Sequence, residues 1–132
     1  MRYFTIAELC RSNTADRLGI ANRCKSEHVA NLTALVDIML DPLREWYGKP
    51  VMVNSGYRCP ELNAKVKGSN TSQHLSGQAA DIDTGDRGQN KLLFEYIRKH
   101  LPFDQLIDES NFAWVHVSYR ADGKNRNQIL KL

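Results

Sequence analysis

Two short segments hold most of the residues that could do chemistry. "SQHLSGQAADID" (Ser72 to Asp83) brings together a histidine, two aspartates, two serines and a glycine, and "WVHVS" (Trp114 to Ser118) sets His116 in an alternating apolar and polar run. Successive side chains of a strand point to opposite faces. If both segments are strands, Asp81 and Asp83 share one face of the first, with Ala80 and Ile82 on the other. Trp114, His116 and Ser118 share a face of the second, with Val115 and Val117 towards the core. His74 lies seven residues before Asp81, across Ser76 and Gly77. A turn there folds it back beside Asp81, and a neighbouring strand could add His116. Two neutral imidazoles and one carboxylate form a zinc ligand set, and three protein ligands leave a fourth position for water, as in catalytic sites. Zinc acidifies its water to a pKa of about 7 and polarises a carbonyl. Hydrolysis also needs a general base. Glu109 and Asp108, at the end of "FDQLIDE", are the nearest carboxylates in sequence.

Plainer readings of the same residues exist. A histidine in a strand is commonly structural, and Ser and Asp beside glycine form turns. A calcium loop starting at Asp81 would need Gly at its sixth position and Glu at its twelfth; Asp86 and Leu92 stand there. Cys10, Cys24 and Cys59 are odd in number and form no CxxC pair, so no disulfide scaffold is expected. Cys24 and His28, four apart, could share a helical face as metal ligands but lack a second pair.

The surrounding elements must position these groups. "TIAEL" has the capping-box pattern of a short helix, Thr5 with Glu8. "RSNTADRLGIAN" reads as loop and turn. Ser26 is placed to cap a long helix whose apolar positions run from Val29 to Leu43 in steps of three and four. Pro42 should bend it and Gly48 should end it. "VMVNSGYR" reads as a strand entering a turn at Gly56, and "CPELNAKVKGSNTS" as a short helix and polar loop. "QAADIDT" is a short strand, and Leu92, Leu93, Tyr96 and Ile97 mark a second amphipathic helix. "FDQLIDE" and "AWVHVSY" are strands joined by "SNF" as a tight turn. The tail "RADGKNRNQIL" contains an Asp-Gly turn and nothing that places it. Helices first, then strands with one inserted helix, predict an α+β single domain over residues 1–132 with a mainly antiparallel sheet packed with helices.

Bulk properties agree. The chain has 132 residues, 42% hydrophobic and 25% charged, enough for one core and against disorder. A net charge of +3 from 18 basic and 15 acidic residues is too small to predict a nucleic-acid partner. No apolar run approaches the roughly 20 residues that span a bilayer, so no membrane partner is expected. "MRYFTIAELC" lacks a secretion core. The chain is expected to be made in the cytoplasm, without a signal peptide, and to be a monomer.

"SQHLSGQAADID" resembles the SxHxxGxAxD signature of the D-alanyl-D-alanine metallopeptidases. That family comprises zinc D,D-carboxypeptidases and dipeptidases, phage endolysin peptidases and the structurally related Hedgehog domain. Ser72, His74, Gly77, Ala79 and Asp81 fall on the motif positions; "VNSGYRCPELN" and "FDQLIDE…WVHVSY" resemble its upstream and downstream blocks. The resemblance implies a Hedgehog-like fold and one zinc ion held by His74, Asp81 and His116. It implies Arg58 and Ser72 at the substrate, a peptidoglycan stem peptide, and cleavage at or near a D-Ala-D-Ala end. It also implies action at the cell wall after lysis or as part of a virion, of phage or prophage origin. Trp114, on the face of His116, would wall the cleft, and Asp83 would orient a ligand histidine. Many members carry an acid three residues before the last histidine. Here that residue is Ala113, so the base is sought at Glu109 first and Asp108 second. If neither reaches, the reading becomes a zinc-containing module that binds wall peptide or a protein without cleaving.

Overall fold

A computed structural model describes residues 1–132. The order is α1 (Ile6–Cys10), α2 (Asn13–Leu18), α3 (Ser26–Leu35), α4 (Asp41–Tyr47), β1 (Met52–Ser55), α5 (Pro60–Lys65), β2 (Ala79–Asp83), α6 (Arg87–His100), β3 (Gln105–Glu109), β4 (Trp114–Ser118) and β5 (Gln128–Lys131). The five strands form one sheet in the order β1-β2-β4-β3-β5. All neighbours are antiparallel except β3 and β5, which run parallel. This is the expected α+β architecture.

One face of the sheet is apolar because alternation puts Ala80, Ile82, Leu106, Val115 and Val117 on it, all buried. The helices cover that face with Leu32, Leu35, Val36, Met39, Leu40 and Leu43 from the α3–α4 region and Leu93, Phe94 and Ile97 from α6. The polar face is left for the site. No helix is long and apolar enough to cross a membrane.

Pro42 acts more subtly than a bend. It has no N–H to donate and its ring crowds the carbonyl four residues back. The chain responds with a π-helical turn, Val36–Leu40, in which the Asp41 N–H reaches Val36 O, and α4 then continues.

Two expectations are corrected. "RSNTADRLGIAN" is not a loop throughout: Ser12 Oγ accepts from the Ala15 N–H and opens α2, which Gly19 closes at φ 69°. Its reward is a small cluster of Ala15, Ile20 and Leu62. The tail, which no signal in the sequence placed, supplies β5 alongside β3. Second, Cys10 and Cys24 form a disulfide and only Cys59 is free. An odd cysteine count excludes complete pairing, not a single bridge. Cys24 is thus unavailable to a metal, and His28 stacks on Tyr57, ring centroids 4.3 Å apart. A bridge closing a loop of about 15 residues stabilises by about 3 kcal/mol. Reduction by a dithiol should lower the unfolding free energy by that amount. An unchanged melting temperature with both thiols titratable would contradict it.

Candidate metal centre

Asp81 on β2 and His116 on β4 are direct cross-strand partners, so their side chains rise together from the polar face. Asp81 Oδ1 lies 3.1 Å from His116 Nδ1. A 3-10 turn, Gln73–Ser76, brings His74 over them. Ser72 Oγ caps this turn by accepting from the His74 N–H, and Gly77 ends it at φ 77°. A Cβ at Gly77 would meet the His28 carbonyl at 2.8 Å, so the turn needs glycine twice over. His74 Nε2 then stands 3.3 Å from the same Asp81 oxygen. The ligand atoms of all three residues lie within 4.8 Å of one another.

Hydrogen bonding fixes what these atoms offer. His74 Nδ1 is 2.6 Å from the Gly56 carbonyl. A carbonyl only accepts, so Nδ1 carries a proton and Nε2 is the atom turned to Asp81. Unless it too is protonated, Nε2 turns a lone pair on a carboxylate oxygen. Two acceptors this close are stable only with a cation between them, a proton or a metal. Two imidazoles and a carboxylate suit zinc, and the outward hydrogen bond from His74 is the usual support for a ligating histidine. Burial opposes ionisation of Asp81, but the charges and hydrogen bonds of His74 and His116 outweigh it and hold the carboxyl well below the usual range.

Gly56 is the joint of this arrangement. A Cβ there would lie 2.1 Å from Leu9 O, because Tyr57 N–H donates to that carbonyl and draws α1 against the strand end. Overpacking against backbone sits at the upper end of the range, about 3 kcal/mol. Gly56→Ala should therefore destabilise the fold by about that much, and should weaken metal binding about 10- to 100-fold by moving the carbonyl that holds His74. Thermal unfolding and metal titration check the two effects separately.

The three residues open onto a cleft of about 650 Å³ that also includes Arg58, Ser72, Glu109 and Trp114. Glu109 pairs with Trp114 across β3 and β4, and Ile107 with His116, so Glu109 shares the His116 face. Its carboxyl is pushed above the usual range, first by burial and then by the charge of Asp81. The Trp114 indole opposes that shift, although its buried Nε1 forms no well-aligned hydrogen bond. Asp108 points the other way. It is buried beneath the turn, where Oδ1 accepts from the Phe112 N–H at 2.6 Å, and it does not line the cleft. Adjacent strand residues take opposite faces, which separates the two carboxylates.

Arg58 approaches from the other wall. Its Nη2 donates to Ser72 Oγ at 3.3 Å, its buried Nε meets no partner, and burial lowers its pKa, opposed by Asp81. Asp83 does not orient a ligand histidine: it accepts from Asn90 Nδ2 and the Gly85 N–H at the start of α6.

Three positioning residues escaped the sequence reading. Asn22, beside the disulfide, donates to Cys10 O and Tyr57 O and accepts from the Cys59 N–H, gripping the chain on both sides of Arg58. Asn90 spends its amide on Asp83, Phe112 O and the Thr84 N–H. Asp104, fully buried, accepts from Gln73 Nε2 and from Arg126. The only available signal was polarity inside otherwise apolar or turn-forming segments, which is shared by many surface residues.

The sequence model of the peptidase M15 family matches residues 2–118. The zinc D-Ala-D-Ala carboxypeptidase of Streptomyces albus G is 38% identical over 87 residues, which cover 64% of this chain and 32% of that protein. The chain thus aligns with about a third of that relative's length.

Proposed function

Because the chain belongs to the peptidase M15 family, we propose that it is a zinc-dependent peptidase of the bacterial cell wall. It would hydrolyse peptidoglycan stem peptides at a D-Ala-D-Ala end or a nearby bond. The observation that carries this reading is the convergence of His74, Asp81 and His116 in a cleft that Glu109 also faces. The similarity to a protein named as a zinc D-Ala-D-Ala carboxypeptidase supports the choice of metal and substrate.

His74, Asp81 and His116 would hold the ion. When bound, zinc lends Lewis acidity to a carbonyl and acidifies water. Glu109 accepts the proton of the attacking water and returns it to the leaving amine. A carboxyl raised by burial is a stronger base than an ordinary glutamate, which favours the first half of that transfer, taking the proton from water. From the opposite wall the planar Arg58 guanidinium grips a substrate carboxylate or carbonyl, with Ser72 fixing one of its nitrogens.

The departure at Ala113 motivates a second reading, a zinc-containing module that binds wall peptide or a protein without cleaving. The test is elemental analysis followed by incubation with purified peptidoglycan and with a peptide ending in D-Ala-D-Ala. About one zinc per chain with release of product is expected. Zinc without product favours the binding module. No zinc, in protein refolded with zinc supplied, sinks both.

A further inference from the structure

The last strand and Leu132 just after it lie beyond the residues that the family model matches, 2–118, yet they grip both neighbours of Glu109. The Leu132 N–H donates to Asp108 O and the Ser110 N–H donates to Leu132 O, each at 2.8 Å. Glu109 sits between these two bonds. After it come Ser110, Asn111 and Phe112 with φ of 51°, 55° and 61°, three successive left-handed residues without a glycine. Each such conformation costs on the order of 1–3 kcal/mol and persists only where its surroundings over-determine it. From the helix side Asn90 holds Phe112 O and Asp108 Oδ1 holds the Phe112 N–H. From the other side Leu132 supplies the hold.

The strand is itself anchored. Arg126 donates through Nε and Nη2 to the buried Asp104, and the Gln128 N–H donates to Asp104 O. Asp104 also accepts from Gln73, the neighbour of His74. Leu130 and Leu132 then stand in the wall of the cleft.

We propose that β5 and Leu132 just after it form a positioning clamp for Glu109: the Leu132 backbone sets where the carboxylate stands in the cleft, and the Leu130 and Leu132 side chains line the wall beside it. The inference rests on Glu109 being the general base of the proposed peptidase. A base displaced by about 1 Å can cost about 100-fold in rate, so the hold need not be large to matter.

Leu132→Pro removes the N–H donated to Asp108 and keeps an apolar side chain; Leu132→Ala keeps the backbone bonds and trims the wall. With Leu132→Pro, kcat should fall about 10- to 100-fold while KM and zinc content hold, and the Ser110 amide should exchange faster with solvent. Leu132→Ala should keep the slow Ser110 exchange and lose less rate. In a Glu109→Gln background Leu132→Pro should cost nothing further. A chain ending at Leu130 repeats the comparison if the proline variant does not fold. Full activity with a fast-exchanging Ser110 amide overturns the clamp, as does an amide whose exchange does not change. Wild-type protein that holds zinc but releases no product overturns the peptidase reading, and the proposal with it. Active wild-type protein with a fully active Leu132→Pro overturns only the clamp.

Discussion

Glu109→Gln is expected to reduce cleavage by about 100- to 10,000-fold, the range for losing a positioned general base, with zinc content unchanged. Glutamine keeps the shape and loses only the basic oxygen. The metal should survive because Glu109 is not among the three converging ligands. The fold should tighten rather than weaken. Burial and the Asp81 charge hold the Glu109 pKa above its ordinary value, so the fold favours the protonated acid. A raised carboxyl contributes stability below its unfolded pKa and loses it as pH rises through the folded one. At neutral pH the ionised Glu109 therefore costs the metal-free protein stability, and in that form a neutral amide should raise the melting temperature. Cleavage needs the carboxylate, so the rate should fall along an acid limb as pH drops and Glu109 takes up its proton. Glu109→Gln should abolish that limb in whatever rate remains. An unchanged rate would assign the base elsewhere.

The strands that carry the site were readable because their alternation serves two masters at once. Ala80 and Ile82, Val115 and Val117 must enter the core, and period two then forces Asp81 and His116 outward together. The same rule, applied to "IDE", says that Asp108 and Glu109 face opposite ways, but not which of them faces the cleft. That depends on the pairing of Glu109 with Trp114, a register set by the turn. "SNF" was legible as short, whereas its three left-handed residues follow from nearby Asp108 together with Asn90 and Leu132, which are distant in sequence. β5 was illegible for a related reason. It is a four-residue edge strand whose residues are mostly exposed, so no apolar period marks it; its partner is fixed by Asp104. The disulfide depends on α1 and the start of α3 meeting across α2, a tertiary fact that spacing does not encode.

Asp81→Asn should remove the metal and with it all cleavage, yet leave a folded protein. Asp81 Oδ1 is the one atom within reach of both His74 Nε2 and His116 Nδ1, so no other group can replace its charge between them. Metal affinity should fall by more than the roughly 10- to 100-fold typical of losing a mere supporting contact. The fold tolerates the change because asparagine is isosteric and can turn its amide N–H towards Nε2 of a neutral His74. Wild-type and variant should then part under chelation. A metal present at about 1,000 times its Kd stabilises the folded state by about 4 kcal/mol. Stripping it should lower the wild-type melting temperature and leave Asp81→Asn unmoved. Acid should separate them too. Asp81 is held below its ordinary pKa, so in metal-free wild type its contribution is complete above the unfolded pKa and drains away as pH falls through the folded one. Asp81→Asn has no such loss. A variant that keeps zinc at wild-type affinity would remove Asp81 from the ligand set and leave two histidines, too few to hold the ion that the proposed peptidase requires.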